Sequence, residues 1–296
     1  MPLHPEVARV VVTMPAPPDE LDPVAMRADQ EAHVPPLDER LPLAAVQDAT
    51  AGDVPVRIYT PTGADGWLVY IHGGAFFLGS LDTHDHVARS LAEATGATVV
   101  SVGYRLAPEA PYPAGLDDCY AVVRWMAEHG RTMAIAGDSS GANFVAAVAA
   151  MAHDDDLDAI TDQILYYPSL DLDFDPDRYA SLRENAVGYG LETVGLKPFN
   201  AFYVDSGADP ADPLVSPIKR ADLTGLPRAL VVTAEYDPMR DEGELYARRL
   251  SEAGVDVVLS RYAGAGHGFV EHFSWIPEFH RVFEETRDFL DRTSTP

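Results

Sequence analysis

The chain has 296 residues, of which 47% are hydrophobic and 23% charged. That composition suits one large α/β domain or two modest ones and excludes a disordered chain. A formal net charge of −26 repels phosphate backbones and anionic headgroups, so neither a nucleic-acid nor a membrane partner is expected. Cys119 is the single cysteine, which rules out a disulfide within the chain and a thiolate metal cluster. Lys197 and Lys219 are the only lysines among 21 basic residues. Residues 1–12 carry no basic stretch leading into a long apolar run. The longest apolar run, 144–152, falls far short of the ~20 residues that cross a bilayer. A cytoplasmic protein is the expectation.

Residues 1–40 are rich in proline and weakly periodic, with one short helix expected over 24–32 and stopped by Pro35-Pro36. Segments 41–46 and 54–60 flank Ala51-Gly52-Asp53, a turn signal, and read as a β-hairpin. Short apolar runs then alternate with helix-like segments. The strands fall at 67–71, 98–102, 133–136 and 163–167, and the helices between them at 86–94, 116–128 and 142–151. From Tyr167 to Leu226 the rhythm breaks, with a helix near 196–203, and an insertion lying over the sheet is expected there. The alternation resumes with a strand at 229–233, a helix at 242–252, a strand at 255–261 and a last helix at 277–292. Such alternation predicts a mostly parallel sheet covered by helices on both faces. Chemistry in such sheets gathers at the carboxyl ends of the strands.

Four strand ends carry residues suited to chemistry. Gly137-Asp138-Ser139-Ser140-Gly141 places Ser139 at a strand-to-helix turn so sharp that small residues must flank it, which exposes the hydroxyl as a nucleophile. His72-Gly73-Gly74 leaves backbone N–H groups free to be aimed; Gly73 and Gly74, with Ser140, are the expected oxyanion donors. Alone, a Gly-Gly pair is usually a loop. Asp237 precedes Pro238 in a turn and reads as a free carboxylate, whereas Asp241 reads as the N-cap of the next helix. His267, set between Gly266 and Gly268, can swing toward the sheet centre; His272 and His280 lack flanking glycines. The order Ser139, Asp237, His267 is the α/β-hydrolase order.

Tyr70-Ile71-His72-Gly73-Gly74, Tyr104-Arg105-Leu106-Ala107-Pro108-Glu109, Gly137-Asp138-Ser139-Ser140-Gly141, Asp237-Pro238-Met239-Arg240-Asp241-Glu242-Gly243 and His267-Gly268-Phe269 together resemble the signature set of the hormone-sensitive-lipase-like esterases, the bacterial family IV carboxylesterases. The resemblance runs from about Leu3 to the C-terminus. It implies an α/β-hydrolase core at 41–174 and 213–296, with a helical cap built from 1–40 and 175–212. It also implies a serine carboxylesterase acting on short- to medium-chain acyl esters, with Ser139, His267 and Asp237 as its triad. An amidase or deacetylase of the same fold would use identical residues. A ligand-binding member of the fold that has lost the His is the alternative of a different class. The chain departs from the family at Ala75, where Gly is usual, and at Ser140, where Ala is usual; both changes keep a backbone donor.

Other features have plainer readings. Phe76, Phe77 and Tyr203 are expected to line an acyl pocket, although aromatics are more often core. His72 is expected to brace its loop. Arg105 and Glu109 are expected to form buried structural pairs. Asp82-Thr83-His84-Asp85-His86 offers carboxylates and two histidines, but His at i and i+2 face different sides of a helix, and a capped helix start is the expectation. No metal or cofactor is expected. The partner is a small acyl ester, with a homodimer as the one protein assembly considered.

Overall fold

The computed structural model describes residues 2–14, 21–205 and 207–292. Met1, residues 15–20 and residues 293–296, which belong to the expected segments 1–40 and 213–296, lie outside the described residues. The sheet holds eight strands among the described residues, in the order β1-β2-β4-β3-β5-β6-β7-β8. They are β1 (Ala45–Ala51), β2 (Val54–Thr60), β3 (Trp67–Ile71), β4 (Thr98–Val102), β5 (Met133–Asp138), β6 (Ile160–Tyr166), β7 (Arg228–Tyr236) and β8 (Val257–Gly266). β1 and β2 form an antiparallel hairpin and β2 runs antiparallel to β4; the pairs from β4 through β8 are parallel.

Side chains alternate across the sheet, so one strand feeds two cores. Val69 and Ile71 of β3 face α4 (Ala114–Glu128), α5 (Ser140–Asp154) and α8 (Arg240–Glu252). Leu68 and Tyr70 of the same strand face α3 (Asp85–Thr95) and α10 (Pro277–Leu290). Burial on both faces is why β3 to β5 read as short apolar runs, whereas β6 carries the polar Thr161-Asp162-Gln163 after Ile160 and begins three residues before the expected 163. At the sheet's edge, β1 is mostly exposed and carries only small or polar side chains besides Val46. It begins at Ala45, four residues later than the apolar run at 41–46 suggests, because Leu41 and Leu43 lie outside the sheet.

The remaining helices come from the N-terminal segment, from the stretch between β6 and β7, and from the turn after β8. α1 (Pro5–Thr13) and α2 (Pro23–Ala32) come from the N-terminal segment. α6 (Ser181–Glu184) and α7 (Thr193–Val204) lie between β6 and β7, and α9 (Phe269–His272) follows β8. α1 carries no signal in the sequence strong enough to be read, because it buries Val7 alone. Lys219, just before β7, reaches Asp171 at 3.1 Å and Asp173 at 2.9 Å. No helix among the described residues is long and apolar enough to cross a membrane.

Candidate active site

Three parallel strands each deliver one polar residue immediately past their last strand residue. β5 ends at Asp138 and is followed by Ser139; β7 ends at Tyr236 and is followed by Asp237; β8 ends at Gly266 and is followed by His267. The β7–β8 register pairs Tyr236 with Gly266, which sets Asp237 and His267 side by side. His267 Nε2 lies 2.9 Å from Ser139 Oγ, and its Nδ1 lies 2.8 Å from Asp237 Oδ2. The structure therefore brings together the three residues that the sequence places at strand ends. His272 and His280 are exposed and hydrogen-bond elsewhere or pair with Glu271.

Ser139 sits at φ 53° and ψ −119°, a backbone region that costs a non-glycine residue on the order of 1–3 kcal/mol. The turn is held by neighbours that leave no room for side chains: a Cβ on Gly141 would collide with the carbonyls of Ile71 and His72. Ser139 N–H donates to the Tyr166 carbonyl at 2.9 Å. The helix α5 then starts at Ser140, so its positive end faces Ser139.

Asp237 is fully buried. Its second oxygen accepts the Met239 N–H at 2.8 Å, and Asn185 of the insertion donates to its carbonyl at 3.0 Å. Asp241 does not cap α8, whose N-cap is Met239. It reaches outward instead and accepts the Ser181 N–H at 2.8 Å, tying α6 to the turn that carries Asp237. The capping-type bond across this turn is made by Asp237 itself, because the helix begins one residue before Asp241. Tyr167, at φ 35°, packs its ring against His267 with 4.9 Å between centroids. No sequence signal marked Tyr167, Ser181 or Asn185.

The loop after β3 differs from expectation in one respect. Gly73 N–H donates to Asp138 Oδ1 at 3.0 Å, which points it into the protein and away from Ser139. The next two N–H groups, on Gly74 and Ala75, are not taken by any group among the described residues. Gly74 lies at φ 116°, followed by Ala75 at 49° and Phe76 at 66°. This left-handed run turns the chain so that successive N–H groups share one side. Ser140 Oγ accepts the Phe76 N–H at 3.3 Å, so the extra hydroxyl is engaged by the loop.

Asp138 belongs to a buried polar group beneath the loop. Its Oδ1 also accepts the Tyr70 hydroxyl at 2.7 Å. Burial pushes its carboxyl up, and the neighbouring His84 opposes that shift. Burial alone would lower His84, but Glu271, 3.4 Å away, more than reverses this and raises it to about 9. Glu271 is correspondingly held below the usual carboxylate range: its burial acts upward, and His272 and His84 outweigh it. His72 stacks between His84 (5.0 Å) and Tyr104 (4.3 Å), and burial together with the His84 charge drives it down to about 3. Its Nδ1 meets the Gly73 carbonyl at 2.8 Å, so it braces the loop. Ligand atoms of His84, Asp138 and Glu271 lie within 4.8 Å of one another. His84 Nδ1 meets the Thr83 hydroxyl at 2.9 Å, and its Nε2 faces Glu271 Oε2 at 3.4 Å. His86 turns the other way, to the Glu271 carbonyl at 2.7 Å.

Phe76, Phe77 and Tyr203 are all buried. Phe76 stacks on Tyr203 of α7 at 4.0 Å, and Phe77 packs against Phe202 at 4.7 Å. They join the loop after β3 to α7. Arg105 and Glu109 do form ion pairs, but at the surface and with other partners: Arg105 with Asp118 at 2.8 Å, and Glu109 with Arg27 at 2.9 Å.

Comparison with known proteins agrees with this geometry. Residues 68–271 match the family described as alpha/beta hydrolase fold. The chain is 42% identical over 258 residues to the carboxylesterase NlhH of Mycobacterium tuberculosis, covering 81% of this chain and 80% of the relative. It is 38% identical over 232 residues to an arylesterase of Saccharolobus solfataricus, covering 74% and 73%. The structure superposes on a hyperthermophilic esterase from Pyrobaculum calidifontis with a TM-score of 0.88 at 37% identity, covering 97% of both chains. The chain belongs to the α/β-hydrolase family, and within it to the hormone-sensitive-lipase-like carboxylesterases.

Proposed function

We propose that the protein is a serine carboxylesterase for short- to medium-chain acyl esters. The observation that carries this reading is the single imidazole of His267, which bridges Ser139 at 2.9 Å and Asp237 at 2.8 Å. Ser139 Oγ attacks the ester carbonyl carbon while His267 Nε2 takes its proton. The tetrahedral intermediate collapses to an acyl-enzyme as His267 returns that proton to the departing alcohol. Water then repeats the sequence and releases the acid. Asp237 keeps the Nδ1 proton on its own side of the ring and stabilises the imidazolium.

The oxyanion donors in this reading are the N–H groups of Gly74, Ala75 and Ser140; Gly73 serves Asp138 instead. Each such donor is worth about 3 kcal/mol in the transition state. The cap reading assigns 1–40 and 175–212 to a cover over the core. The stack of Phe76 on Tyr203 supports it, since it brings α7 onto the loop beside the nucleophile. An acyl chain lying against Phe76, Phe77 and Tyr203 would gain about 0.8 kcal/mol per buried CH₂ until the space is full.

The test is a series of p-nitrophenyl esters from acetate to palmitate, with matching anilides. kcat/KM should climb over the first members and then fall. A maximum at palmitate would overturn the chain-length assignment. Anilides turned over faster than esters would make the protein an amidase.

A further inference from the structure

We propose that α2 is a clamp on the oxyanion loop and that Arg27 is its positioning residue. The inference rests on the assignment of Gly74 and Ala75 as oxyanion donors.

No residue of α2 is buried. Its half-buried face is the stripe Pro23, Met26, Arg27 and Gln30, at the spacing of one helix side. The contacts along that stripe are mostly polar, and they converge on one target. Arg27 Nε donates to the Phe77 carbonyl at 2.7 Å, and Nη2 donates to the Ala107 carbonyl at 2.6 Å. The same guanidinium makes two bonds of 2.9 Å to Glu109. Ala107 N–H in turn donates to the Phe76 carbonyl at 3.0 Å, so Arg27 knits two loops that already touch. Three residues on, Gln30 Oε1 accepts the Gly79 N–H at 3.2 Å, and Glu31 Oε1 accepts the Ser80 hydroxyl at 2.5 Å.

The gripped segment is the one with unusual backbone. Gly74, Ala75, Phe76 and Gly79 all have positive φ, from 49° to 116°. Within the loop, the Phe77 and Leu78 N–H groups both return to the Gly74 carbonyl, which leaves the Phe77 carbonyl facing outward for Arg27. The loop is thus fixed from inside by Asp138 and Ser140 and from outside by α2. A planar fork is needed to reach two carbonyls and a carboxylate at once, and a lysine cannot do so.

Donor N–H groups that drift lose their worth mainly in the transition state, so kcat should fall while KM stays near its original value. The variants are Arg27→Ala, Arg27→Lys and Glu109→Gln, assayed on p-nitrophenyl butyrate and with an alkyl trifluoromethyl ketone, whose adduct with Ser139 mimics the tetrahedral intermediate. Arg27→Ala should lose about 10- to 100-fold in kcat, less than the outright loss of one donor. Its affinity for the ketone should weaken by the same factor. Arg27→Lys should fall between Arg27→Ala and the unmodified protein. Glu109→Gln, which leaves both carbonyl bonds in place, should stay within about threefold. A lower melting temperature with kcat and ketone affinity unchanged would overturn the proposal, since α2 would then be structural only. A raised KM with unchanged kcat would also overturn it, because α2 would merely border the entrance. Failure of the esterase assignment shows separately, as an unmodified chain with no Ser139-dependent hydrolysis, and would remove the clamp's role with it.

Discussion

Two helices hold the loop after β3 from its two sides and are attached by opposite means. α5, which starts at Ser140, has twelve of its fifteen residues buried between the sheet and α4. α2 has none buried and is held by the side chains of Arg27, Gln30 and Glu31. Apolar burial is non-directional and grows with area, so α5 gains stability from sheer contact. A few hydrogen bonds give α2 little net stability, but they specify atoms. Ser139 is therefore mounted on the buried core, and the loop opposite it is trimmed by polar contacts from α2.

The sharpest way to isolate the core side of this contrast is Ser139→Ala. Turnover should drop by on the order of 10⁴–10⁶ with the melting temperature nearly unchanged, as read by ester hydrolysis and thermal unfolding. A serine-directed phosphonate should label Ser139; labelling at Ser140 would reverse the assignment.

The next contrast lies within one turn. Asp237→Asn should cost about 10⁴ in kcat, because the wrong imidazole tautomer is then favoured. Asp241→Asn disturbs the tie to Ser181 and the ion pair with Arg240, and should cost about 1 kcal/mol of stability with kcat within about threefold. If the two results were exchanged, the acid would be misassigned.

For stability alone, Phe144→Ala in α5 should cost about 3–5 kcal/mol, against less than about 1 kcal/mol for Met26→Ala in α2. Urea titration of both variants measures the difference, and equal losses would erase the distinction between the helices.

The smallest effect concerns the buried ion group. The raised pKa of His84, about 9, means that its contribution to stability is fully present below the ordinary histidine range and is lost as pH rises through 9. The lowered Glu271 contributes above the ordinary carboxylate range and loses its share as pH falls. The stability gap between the unmodified chain and His84→Gln should therefore be widest near pH 6 and narrow by on the order of 2 kcal/mol by pH 9.5. A gap that widens with pH would show that His84 is neutral when folded.

The parts legible in the sequence follow the same division. β3 to β5 could be read because strands covered on both faces become largely apolar, and β6 could be read only from Gln163 on because its first residues include Thr161 and Asp162. Ser139, Asp237 and His267 could be singled out because small or turn-forming neighbours mark the ends of strands. β1 was displaced by four residues because an edge strand carries little apolar pattern. α1 was missed because one buried valine leaves no period to detect. The Gly73 donor failed for a different reason: residue types tell which N–H groups are unhindered, not which way they point, and the carboxylate of Asp138 decided the direction. Arg27 could not be found at all, since its partners lie fifty and eighty residues away in the chain.

The scarcity of lysine has a practical side. Lys219 is engaged by Asp171 and Asp173, which hold its ammonium charged, whereas Lys197 stands exposed on α7. Acylating reagents need a neutral, reachable amine. Among side chains, such a reagent would therefore find a single handle, on the helix whose Tyr203 stacks over the oxyanion loop. A surface activated for amines would hold the molecule by α7, in one orientation, and would restrain that helix while leaving the sheet untouched.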